Sequence, residues 1–193
     1  MEGLAGNLAD AAKIFEEAEE KRELAVKRSR TVTRHSKTVI HEIHEGKNPV
    51  KEMKSLDSAV AEMKDMLGES SHHLRSGPAA DALAEYAEAA ILYCIVYYDR
   101  VPSFKELEIP AENWILGLAD SIGELRRIVL KELMSGETGK AEKFYEKMEI
   151  LTDGLLMFDV PDAVVPLRRK QDIARGVTER TRSDIAVALM MKK

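Results

Sequence analysis

From Pro78 to Tyr98 the chain reads PAADALAEYAEAAILYCIVYY, in which every position is apolar or aromatic except Asp81, Glu85 and Glu88. A helix that is apolar on all sides is stable only when other helices enclose it, so this segment belongs at the centre of a packed bundle. Its longest uncharged run, AAILYCIVYY at 89–98, falls well short of the roughly 20 residues that cross a bilayer. The segment is therefore expected to be a buried core helix in a soluble protein with no membrane partner. Its three acids stand four and three residues apart, which places them on one narrow face. They point into the protein or into an enclosed cavity, where unpaired negative charge is costly.

Helical periodicity continues through the rest of the chain, and no stretch reads convincingly as a strand. The segment from about 4 to 45 holds no proline and stops at EGKNP, where Gly46 ends a helix and Asn48-Pro49 offers an N-cap followed by proline at the first helical position. A helix of that length spans roughly 60 Å. A second helix over about 49–67 carries Val50, Met53, Leu56, Val60, Met63 and Leu67 on one stripe and stops at Gly68. ESSHHLRSGP, 69–78, is a connector in which His72 and His73 carry no strong signal. Ser103 and Glu106 form a capping-box pattern for a short helical turn, and Pro110 opens a fourth helix that ends near MSGETGK. A fifth helix covers about 140–157, and FDVPDAVVP leads into a sixth that runs towards the C-terminus. The expected fold is all-α: one domain over 1–193, a bundle of six to seven helices whose first and last members reach beyond a compact core.

In the fourth helix, NWILGLADSIGELRRIVL, the core stripe is Ile115, Leu118, Ile122, Leu125 and Val129. Asp120 and Glu124 lie opposite it, where an ordinary solvated face would be. That side also holds Leu116, Gly117 and Ile128, with Trp114 close by, and so is less polar than a face meeting only water. Several carboxylates in a semi-enclosed site repel one another and raise one another's pKa unless a cation sits between them. Hard oxygen donors suit Mg²⁺ or Mn²⁺. A di-iron bundle also draws carboxylates from paired helices, but it needs Glu-x-x-His motifs, and Glu85-x-x-Glu88 has glutamate where the histidine should stand. No Ser-His-Asp or reactive-cysteine arrangement is evident.

Net charge is −5, which as a sum argues mildly against a nucleic-acid partner. The distribution of charge weighs more. Lys27, Arg30, Arg34, Lys37, His41 and His44 follow spacings of three and four along the first helix, a basic stripe without interleaved acids. Such a stripe is either solvated and ion-paired or a binding face for phosphates. Few aromatics accompany it, so contacts would run mainly to a nucleic-acid backbone. The two histidines lack a carboxylate on their own face and read as an extension of the stripe rather than as metal ligands. A second basic group, LRRKQDIARGVTERTR, covers 167–182. The single cysteine, Cys94, allows no intramolecular disulfide and fits a reducing compartment, and MEGLAGNLADAAKIFEEAEEKRE lacks the pattern of a signal peptide, so a cytoplasmic location is expected.

Three stretches, KRSRTVTRHSKTVIHEIHE, LAEYAEA and WILGLADSIGELRR, stand in the order and at the separations seen in the translin family, with RRKQDIARGVTERTRSDIA matching more loosely. The chain resembles that family over nearly its whole length, and its translin-associated factor X branch more than translin. The resemblance implies helical subunits closed into a roughly octameric barrel that encloses RNA, in which the translin-associated subunits are metal-dependent endoribonucleases. It implies that Glu85, Glu88, Asp120 and Glu124 are catalytic residues holding Mg²⁺ or Mn²⁺, and that Lys37 contacts RNA. With the basic stripe, the expected RNA-binding set is Lys27, Arg30, Arg34, Lys37 and His41. The expected partners are single-stranded RNA and further copies of the chain in a homo-octamer. A non-catalytic, single-stranded RNA- or DNA-binding oligomer of the translin type is the rival expectation.

Overall fold

The computed structural model of the chain describes residues 3–68 and 74–191. The described residues form six helices and no strand: α1 (Leu4–His44), α2 (Val50–Leu67), α3 (Pro78–Tyr98), α4 (Ala111–Met134), α5 (Thr138–Leu156) and α6 (Arg168–Met191). Residues 69–73 of the expected connector, His72 and His73 among them, lie outside the described residues.

α3 is the central element, as its apolar perimeter requires. Ala82, Leu83, Ala87 and the run Ala89–Ile95 are all buried. α1 and α4 pack on either side of it. α2 folds back along α1, held by Arg28–Glu62 at 2.9 Å and His35–Glu52 at 2.5 Å. The segment after α3 returns along that helix, where the Trp114 indole donates to the Pro102 carbonyl at 2.8 Å. α4 then runs in the same direction as α3, with the Asn113 amide donating to the Ala80 carbonyl at 2.7 Å. α5 and α6 close the far side of α4 through buried contacts such as Thr152–Thr178 at 2.8 Å.

Two local expectations change. α2 begins at Val50, with Pro49 in the cap position and no side-chain capping bond, so Asn48 does not act as the N-cap. Only half of the Ser103–Glu106 box forms: the Glu106 N–H donates to Ser103 Oγ at 3.1 Å, while the Glu106 carboxylate takes two bonds from Arg100 at 2.6 and 2.9 Å. A guanidinium fork on both oxygens outcompetes a backbone N–H.

Burial on α1 starts at Ala25, so its first turns stand clear of the bundle. Leu4, Leu8, Ile14 and Phe15 are exposed there. Among the described residues no helix is long and apolar enough to cross a membrane.

Candidate functional site

The site begins at a glycine. A Cβ on Gly117 of α4 would stand 2.5 Å from the Ala84 carbonyl oxygen, 2.6 Å from Ala87 Cβ and 2.7 Å from the Glu88 nitrogen. Only hydrogen fits, so α3 and α4 touch backbone to backbone at this point. Asp120 and Glu124 follow Gly117 by three and seven residues and share its face. The close crossing therefore carries them up to Glu85 and Glu88.

All four acids are half-buried. The Glu88 carboxyl is pushed up to about 8, first by burial and then by the negative charges of Asp120, Glu85 and Glu124, with Lys170 opposing. Asp120, Glu85 and Glu124 thus each lie within electrostatic reach of Glu88. They differ in their partners. Asp120 accepts from Lys170 Nζ through both oxygens, at 2.5 and 2.6 Å. Glu124 accepts a short bond from His44 Nε2 and has Arg127 at 3.8 Å. The His44 bond holds the Glu124 carboxyl below its ordinary value, against burial. Glu85 and Glu88 make no hydrogen bond or ion pair with any described residue.

Hard carboxylate oxygens are the donors that Mg²⁺ and Mn²⁺ prefer, and the neighbouring negative charge that adds to burial in lifting Glu88 is what a divalent cation relieves. The donor set fits such an ion in its chemistry. Two of its members carry cationic partners, and no group of three or more acidic, histidine or cysteine side chains among the described residues is arranged to ligate a metal.

Beside this cluster runs a groove of about 700 Å³, lined by Arg30, Arg34, Lys37 and His41 of α1 and by Pro78 and Asp81 of α3. Asp81 lies one turn before Glu85, so the groove adjoins the acids. Arg30, Arg34 and Lys37 make no ion pair with any described residue, which leaves the groove net positive despite Asp81 in its wall. The second basic group is mixed: its Arg168, Arg169 and Arg180 make no ion pair with any described residue. Its Lys170, Arg175 and Arg182 pair with Asp120, Asp172 and Glu149.

The ends of the predicted stripe depart from the groove. Lys27 is exposed but does not line it, and His44 is buried, its side chain 5% exposed against Glu124 and its carbonyl accepting from Lys131. The five spacings from Lys27 to His44 average 3.4 residues, and against a period of about 3.6 the stripe drifts until His44 stands roughly 100° round the helix from Lys27. Gly117, His44 and Lys170 were not in the predicted site. Gly117 carried a signal, since a glycine within a helix costs about 1 kcal/mol and needs a packing reason. Lys170 carried none.

An unpaired basic groove set against half-buried acids on a six-helix bundle defines an all-helical protein of one recurring fold. The chain belongs to the translin family, whose sequence pattern matches residues 20–180. That span omits most of the α1 turns that stand clear of the core. The uncharacterized protein MJ0175 of Methanocaldococcus jannaschii is 39% identical over 184 residues, 89% of this chain and 78% of that protein. In structure the chain is similar to AfC3PO in its complex with duplex RNA, with a TM-score of 0.86 and 32% identity over 96% of this chain and 97% of that one. It is also similar to apo-NeC3PO, with a TM-score of 0.83 and 26% identity over 94% of this chain and 97% of that one.

Proposed function

We propose that this protein is a metal-dependent endoribonuclease that hydrolyses phosphodiester bonds in RNA, preferring single strands, within a helical oligomer. One observation carries the reading: a groove in which Arg30, Arg34 and Lys37 outnumber the single acid, Asp81, and make no ion pair adjoins four half-buried carboxylates. The groove suits a polyanion and the cluster suits a cation. The duplex RNA complex of the similar AfC3PO supports RNA as the ligand class.

Arg30, Arg34 and Lys37 hold the strand by its phosphates, with Lys27 extending the positive field and His41 offering a hydrogen bond from the groove wall, so affinity is largely sequence-independent and salt-sensitive. Glu85, Glu88, Asp120 and Glu124 would hold one or two Mg²⁺ or Mn²⁺ ions. The chemistry such an ion supplies when bound is Lewis-acid catalysis: an activated water and neutralised charge on the phosphate. Nucleophilic thiol chemistry is not supported, because Cys94 is buried and burial pushes its thiol up. That lone buried thiol suits a cytoplasmic location.

The exposed apolar side chains of Leu4, Leu8, Ile14 and Phe15 on the free end of α1 support self-association, which we take to be a homo-octamer. Light scattering on the purified chain measures it directly, and a monomer at working concentration removes the barrel from the proposal.

Labelled single-stranded and duplex RNA, each incubated with Mg²⁺ and with EDTA, test the activity. Cutting of the single strand with Mg²⁺ alone is expected. Cutting that persists in EDTA removes the metal. The second reading, a non-catalytic RNA- or DNA-binding oligomer, is favoured by the cationic partners on Asp120 and Glu124, and it predicts binding without cutting in either condition. Lys37→Ala should weaken RNA binding and lower the slope of log K against log salt by about 0.7 for a single strand, with the thermal midpoint unchanged. An unchanged slope would move RNA off this face.

A further inference from the structure

Lys170 stands in the first turn of α6, on a backbone that is firmly placed. Its neighbour Gln171 donates to the carbonyls of Leu155 and Phe158 at 2.9 and 2.8 Å, and Ala174, Thr178, Thr181 and Ile185 are buried further along the helix. From this fixed root a flexible four-carbon stem carries the ammonium onto both oxygens of Asp120, at 2.5 and 2.6 Å. The same charge reaches Glu88. Lys170 is thus a tethered cation planted in the acid cluster from a third helix, 50 residues away in sequence.

We infer that Lys170 is an exchangeable counter-ion that competes with the divalent metal for Asp120. The inference rests on the metal site proposed above. The ammonium takes one lone pair on each Asp120 oxygen and occupies the space between them, so a metal must use the remaining lone pairs, and two cations at one carboxylate repel. The lysine stem can swing the charge away without moving α6. An arginine at the same root would grip both oxygens with its planar fork and yield less easily. Lys170 therefore sets how readily the cluster takes up metal, acting as a positioning residue on Asp120.

The test is Mn²⁺ titration of the full-length protein without RNA, followed by the electron paramagnetic resonance signal of the free ion, with circular dichroism to confirm folding. Lys170→Met should bind Mn²⁺ up to about fivefold more tightly, since a partly exposed pair of this kind is worth up to about 1 kcal/mol and each 1.4 kcal/mol is tenfold. Lys170→Arg should bind it more weakly than the wild type. Opposite signs are the signature, because a purely structural lysine would tolerate arginine and suffer from methionine. Folded Lys170→Met protein that binds Mn²⁺ no more tightly than wild type overturns the inference. Glu88→Gln separates the two layers. If Glu88→Gln weakens Mn²⁺ binding but Lys170→Met leaves it unchanged, only the competition is wrong; if Glu88→Gln has no effect, the metal site falls and the inference falls with it.

Discussion

Gly117→Ala should lower the thermal midpoint by roughly 5–10 °C, as expected for a loss of about 2–3 kcal/mol from overpacking in a chain of this size. Helix propensity alone predicts the reverse, because alanine is better than glycine inside a helix by about 1 kcal/mol. Space decides the sign. The new methyl group would meet the Ala84 carbonyl at 2.5 Å and the Glu88 nitrogen at 2.7 Å, and both are backbone atoms of a buried helix that cannot rotate aside. α3 and α4 would have to part, which would also draw Glu85 and Glu88 away from Asp120 and Glu124, so RNA cutting should fall with stability. Gly123 provides the control on the same helix. Nothing stands within 4 Å of a Cβ there, and Gly123→Ala should stabilise by about 0.4–1 kcal/mol. Thermal scans of the two variants side by side check the argument. Equal shifts of the same sign would mean that the crossing is not as tight as described.

Glu88→Gln should reduce RNA cutting by on the order of 10²–10³-fold while leaving RNA affinity within about twofold, because it removes a carboxyl that would give up its proton to hold the metal and leaves the groove intact. The same substitution has a second effect, on stability, whose sign follows from the carboxyl being pushed up from 4.5 to about 8. Below the unfolded value both states carry the proton, and Glu88 imposes no penalty. As pH rises the unfolded chain ionises first, the folded protein holds its proton until about 8, and stability is lost progressively across that window. Glutamine cannot ionise. Wild type and variant should therefore denature alike at pH 4, and the variant should be the more resistant at pH 8.5, as measured by urea melts at the two pH values. A variant that is less stable at high pH would show that Glu88 is not a desolvated acid. An acid that destabilises the fold at neutral pH while serving the site is an instance of function held at the expense of stability.

The run Pro78–Tyr98 determined by itself that α3 would be central, because a helix without a polar face has no other stable environment. Glycine and proline positions marked most helix ends to within a few residues, and i, i+3 and i, i+4 spacing put Glu85 with Glu88 and Asp120 with Glu124 on common faces. Those signals are local: they are set by the helical repeat and need no knowledge of the neighbours. What the neighbours are was decided only in three dimensions. The Lys170–Asp120 pair joins residues 50 apart and His44–Glu124 joins residues 80 apart. Both depend on how each helix is rotated about its axis, and that rotation is set by packing over the whole core. For the same reason the sequence showed two basic groups of similar appearance, and the fold decided which members of each are paired. Acids from α4 and α5 pair with Lys170 and Arg182 of the second group, whereas none reaches Arg30, Arg34 or Lys37 among the described residues. A charge pattern along one helix states what that helix can offer, and tertiary packing decides which charges remain unspent.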